Sequence, residues 1–124
     1  MRIVLDQNSA EPLSDQLSAA LARRIHRGSL APGSRLPTVR ALAEELELAP
    51  NTVAKAYRAL ERDRLIETRG RRGTFVTHRL PTRVPDRERR LKEAADAFVR
   101  RGGQLGFGDA SIRRALNRAL GDPR

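Results

Sequence analysis

The chain has 124 residues, with 25 Lys and Arg against 15 Asp and Glu, a formal net charge of +10. It has no cysteine, which excludes disulfides, thiolate metal sites and a cysteine nucleophile. No apolar run approaches the roughly 18 residues of a membrane span, and Met1 to Asp6 lacks the apolar stretch of a signal peptide, so the expectation is a soluble cytoplasmic protein with a polyanionic partner, nucleic acid before a membrane surface.

Ile3, Val4 and Leu5 make a short extended piece, and Asn8 to Pro12 is turn material. From Pro12 the apolar period becomes helical. Leu13, Leu17, Ala20, Leu21 and Ile25 form one stripe, arginines crowd the last turns where the helix dipole favours them, and Gly28 ends the helix. This predicts a helix over 12–27. Ser34 to Leu36 is briefly extended because Pro37 keeps the preceding residue out of the helical region.

Thr38 then suits an N-cap, and Val39, Leu42, Ala43 and Leu46 predict a compact second helix. Pro50 fits a first helical position, and Val53, Ala56, Tyr57 and Leu60 repeat the same spacing in a third. Two short helices joined around Glu47 to Ala49 outline a helix-turn-helix. After Asp63 the period switches. Leu65 to Arg69 and Thr74 to Thr77 are strand-like, and Gly70-Arg71-Arg72-Gly73 between them is a hairpin turn, so a wing follows the helices.

Residues 79–85, with two prolines, predict a linker. A helix over 86–101 has Leu91, Ala94, Ala95 and Phe98 on its apolar face and Gly102-Gly103 as its stop. A last helix over 109–120 has Ile112, Leu116 and Leu120 on one side. The fold class is therefore mainly α with a small β-wing: a winged helix-turn-helix over 1–78 and a short two-helix module over 86–124.

With its apolar side held down, the third helix presents Asn51, Thr52, Lys55, Arg58 and Arg62. Asn and Thr can hydrogen-bond base edges, Lys and Arg can read guanine or hold phosphate, and the major groove admits such a helix. Asn51 and Thr52 can serve equally as local caps.

The stretch Pro32-Gly33-Ser34-Arg35-Leu36-Pro37-Thr38-Val39-Arg40 with Leu42-Ala43, then Pro50-Asn51-Thr52-Val53-Ala54-Lys55-Ala56-Tyr57 with Leu60-Glu61, then Ile66-Glu67-Thr68-Arg69-Gly70 and Gly73-Thr74-Phe75-Val76, resembles the opening motif, recognition helix and wing of GntR-family regulators. The short tail and the Asn-Thr-Val variant resemble the YtrA subfamily. The resemblance implies that Arg40 contacts the operator, that Asn51 and Thr52 open the reading face, and that Gly70 and Gly73 flank a wing tip whose Arg71 and Arg72 line the minor groove. Arg35 is left open between a carboxylate partner and DNA. Ala49, Pro50, Arg64 and Gly108 depart from the family pattern. Ala49 loses a cap, and Arg64 stands where glycine is common, which costs strain if the backbone there is left-handed.

Residues 1–78 hold 13 basic against 9 acidic residues and the tail 12 against 6, so the tail is the more basic part. It has too few apolar residues for its own core. The resemblance implies a homodimer, with Leu91, Ala94, Ala95, Phe98, Phe107, Ile112, Leu116 and Leu120 in the interface and two recognition helices on an inverted repeat. The alternative use of its charge is phosphate contact by Arg87, Arg89, Arg90 and Lys92. An effector pocket would be shallow, at the dimer interface, or absent.

Two isolated histidines and the absence of paired carboxylates in an apolar setting predict neither metal, cofactor nor catalysis. The function expected is a sequence-specific repressor acting on double-stranded DNA. The competing readings are a non-specific architectural DNA-binding protein and a winged-helix protein-interaction module.

Overall fold

Leu17, Leu21 and Ile25 are no more than 2% exposed and anchor the first helix, α1 (Leu13–Arg27). Pro12 is its N-cap residue, and Gly28, with φ of 83°, closes its C-terminus, so the glycine stop read from the sequence holds. The computed structural model describes residues 1–79 and 84–121. They divide into two units, Met1–Pro81 and Thr82–Arg124.

In the first unit, α1 packs on α3 (Pro50–Arg62), and α2 (Val39–Leu46) packs on α3 as well. Thr38 caps α2, its Oγ1 accepting from the Ala41 N–H at 3.0 Å. Leu42, Val53, Ala56 and Leu60 fill the space between the helices, each at most 2% exposed. The N-terminal segment, expected as a short extended piece, joins no sheet, and its burial alternates from residue to residue. Met1, Ile3 and Leu5 pack on the core instead, and the Gln16 side chain clasps Asp6 through both its backbone N–H and its carbonyl.

Helices α2 and α3 end in the same way. The Leu48 N–H donates to the Ala43 carbonyl and Glu47 to Glu44. The Leu65 N–H donates to Leu60 and Arg64 to Glu61. Both are Schellman motifs, whose C′ residue must be left-handed. Glu47 (φ 55°) and Arg64 (φ 60°) fill those positions, the two non-glycine residues with positive φ among the described residues. Such a backbone costs a residue with a Cβ about 1 kcal/mol. Arg64 is exposed, so Arg64→Gly should stabilise the unit by about 1 kcal/mol and raise its melting temperature by roughly 5 °C, measured by circular dichroism.

A three-stranded antiparallel sheet in the order β1-β3-β2 completes the unit, with β1 Arg35–Leu36, β2 Ile66–Thr68 and β3 Thr74–Val76. The register pairs Arg35 with Phe75, Ile66 with Val76 and Glu67 with Phe75. Leu36, Ile66 and Val76 point into the core, so Arg35, Phe75 and Glu67 share the outer face by strand alternation.

The second unit corrects two boundaries. Its first helix, α4 (Val84–Gln104), starts before Asp86 and runs through Gly102 and Gly103. The stop is Gly106, with φ of 92°, where the Phe107 N–H reaches the Gly102 carbonyl and the Gly106 N–H reaches Gly103. Gly102 serves packing: a Cβ there would stand 2.8 Å from Ile112 of α5 (Asp109–Ala119). Of the linker expected over 79–85, residues 80–83 lie outside the described residues, and 84–85 are helical. No helix among the described residues is long and apolar enough to cross a membrane.

Candidate DNA interface

The apolar side of α3 is turned wholly inward, with Val53, Ala56, Tyr57 and Leu60 all buried. Helical spacing then turns Asn51, Lys55, Arg58 and Arg62 outward, and all four are exposed. Thr52 is half-buried at the edge of this stripe. Ala49 gives no side-chain cap to α3. Arg40 is exposed at the second residue of α2. Among the described residues, Arg40, Lys55, Arg58 and Arg62 make no ion pair.

Tyr57 ties the reading elements together. Its hydroxyl donates to the Pro37 carbonyl at 2.7 Å, joining the middle of α3 to the residue before the α2 cap. Burial pushes the Tyr57 hydroxyl up to about 12 from 10. A folded-state value above the unfolded one favours the neutral phenol in the fold. That stabilisation is complete below pH 10 and is lost as pH rises toward 12. The melting temperature should therefore fall across this alkaline range, and Tyr57→Phe should flatten the dependence while lowering stability at neutral pH by about 1 kcal/mol.

The wing tip is a short turn, Gly70–Arg72, closed by the Arg69 N–H donating to the Gly73 carbonyl at 2.8 Å. Gly70 has φ of 55° and Gly73 of 112°, so both need the freedom of glycine. Arg71 and Arg72 are exposed at the tip. On the outer face the Arg69 guanidinium lies 4.8 Å from the centre of the Phe75 ring, and its Nη2 is 2.6 Å from Glu67. Each residue expected at the interface thus lies on α2, α3 or the wing of one unit.

Residues 13–76 match the model of the bacterial regulatory proteins of the gntR family. The chain belongs to the GntR family. One relative, the HTH-type transcriptional regulator Rv1152 of Mycobacterium tuberculosis, is 40% identical over 118 residues, 95% of this chain and 93% of its own. The HTH-type transcriptional repressor YtrA of Bacillus subtilis is 39% identical over 80 residues, covering 64% of this chain and 62% of its own. Among solved structures, YtrA from Sulfolobus acidocaldarius, a GntR-family transcription factor, superposes with a TM-score of 0.63 at 29% identity over 77% of this chain and 97% of its own. The GntR assignment, its YtrA subfamily and the winged helix expected from the sequence are borne out, and the protein is a DNA-binding transcriptional regulator.

In the second unit, Leu91, Leu116 and Leu120 are exposed by 72%, 46% and 71%, and Phe98 and Phe107 by 38% and 57%. Ala94 and Ala95 are exposed too. Ile112, in contrast, is 9% exposed and spent on the contact with Gly102 inside the chain. Sequence reasoning missed Val99 and Leu105, exposed by 50% and 59%. Leu105 continues the spacing of Leu91, Ala95, Phe98 and Gly102. The signal was legible once the glycines are read as part of the helix.

Proposed function

We propose that two copies of this chain bind an inverted-repeat operator as a homodimer and repress transcription by covering a promoter. Residues 1–78 bind the DNA and residues 86–124 hold the dimer. In each copy α3 enters the major groove, with Asn51 and Thr52 at its first turn and Lys55 and Arg58 along the backbone. Arg40 joins them from α2, and Arg71 and Arg72 reach the adjacent minor groove, whose negative potential suits arginine.

The observation that carries this reading is the exposed polar stripe of α3, set in one unit with Arg40 and a glycine-framed wing carrying two arginines. The repressor named among the relatives supports the sign of the regulation. The setting is the cytoplasm, where the DNA is.

The dimer face consists of the apolar residues of α4 and α5 that remain exposed. Oligomerisation is the ordinary way to cover such a patch. A small effector would bind in the groove of about 220 Å³ between these helices, lined by Phe98, Leu105, Phe107 and Ile112 among others. Leu91→Glu with Phe98→Glu should convert the dimer to a folded monomer in light scattering at micromolar concentration. A parent chain that is already monomeric there overturns the dimer.

In vitro selection of bound DNA tests the function. Preference for the selected operator over scrambled DNA should reach about 10³-fold or more. Equal binding to both leaves an architectural protein, and no binding at low salt leaves a protein-interaction module.

A further inference from the structure

We propose that Arg35, on the edge strand of the wing, is a further phosphate-binding residue. The proposal rests on the DNA-binding reading of the wing. Leu36 is 3% exposed and points into the core, so its neighbour Arg35 is turned to the outer face, opposite Phe75. Its guanidinium lies beside Gly73, at the base of the wing turn. A Cβ at Gly73 would stand 2.8 Å from Arg35 Nε and 3.2 Å from Nη2.

The carboxylate on this face is already used. Glu67 is paired with Arg69, which stacks on Phe75. Among the described residues the Arg35 side chain makes neither an ion pair nor a hydrogen bond. Arg35, Arg69, Arg71 and Arg72 thus share one small wing with the carboxylate of Glu67. Four arginines against one carboxylate repel one another, and the arrangement becomes favourable beside a polyanion. Arginine is the side chain suited to it, because its planar fork matches a phosphate with two parallel hydrogen bonds. Arg35 lies on the flank of the sheet while Arg71 and Arg72 are at its tip, so the wing would hold the phosphate backbone with one and line the groove with the others.

The test uses the full chain and a short random-sequence duplex, with binding constants measured over a series of salt concentrations. Removing one phosphate-binding side chain from each copy lowers the slope of log K against log salt by about 0.9 per copy. Arg35→Gln should lower it by that amount with the melting temperature unchanged, and Arg35→Lys should restore it. An unchanged slope with a lower melting temperature for Arg35→Gln makes Arg35 a brace of the wing and overturns the proposal. Arg71→Gln and Arg72→Gln are the controls. If they lower the slope and Arg35→Gln does not, the wing reading stands and this proposal fails. If none of the three changes it, the wing reading itself fails.

Discussion

Arg40→Ala and Asn51→Ala are each expected to weaken operator binding by about 30-fold to 10⁴-fold, read by fluorescence anisotropy. A good contact to a base edge is worth about 1–3 kcal/mol. In a symmetric dimer every substitution is made twice, so the effect per complex is about 2–6 kcal/mol. Stability should stay within about 0.5 kcal/mol, the usual range for surface changes. Arg40 and Asn51 are exposed, and Arg40 makes no ion pair among the described residues. Both lie in the first turns of their helices. Weaker binding accompanied by unfolding would show that these residues are structural. Binding to scrambled DNA should fall less than binding to the operator for Asn51→Ala, because base contacts carry discrimination and phosphate contacts do not.

Leu17→Ala should come close to unfolding the DNA-binding unit. Leu17 is fully buried where α1 meets α3, and a leucine truncated in such a site costs about 3–5 kcal/mol through reduced burial and the cavity left behind. A unit of this size has a total of about 5–10 kcal/mol. The melting temperature is expected to fall by roughly 15–30 °C. DNA binding would disappear near body temperature and return on cooling, which separates this variant from Arg40→Ala. A fall of only a few degrees would mean that α1 is not the element that holds α3 in place.

The reading face was legible because helical period and burial are two statements of one fact. Val53, Ala56, Tyr57 and Leu60 are apolar at helical spacing, so they pack inward, and Asn51, Lys55 and Arg58 can only point out. The wing was legible for a different reason. Gly70 and Gly73 bracket two arginines between β-branched segments, and both glycines have the positive φ that such a turn needs. The bond from Tyr57 to Pro37 was not legible, since it links residues far apart in sequence, and no local pattern marks a phenol for a particular carbonyl. Arg35 was undecided for a similar reason. Its surroundings are set by β3, which joins β1 only in the folded unit.

Gly102 and Gly103 show the boundary between the two kinds of information most clearly. A glycine pair after a helical stripe reads as a stop, because glycine is the residue that closes helices most readily. The same residue is also the one that lets another helix approach closely. The choice between these roles depends on what stands opposite, and here that is Ile112, against which a Cβ at residue 102 would collide. Period and residue type were enough to dictate the order of the elements, the buried face of each helix and the chemistry of the exposed one, because all three are local properties of the chain. Which glycine ends α4, which arginine lies over the wing and which apolar residues remain exposed were settled by packing, since each depends on a neighbour that the chain meets only on folding.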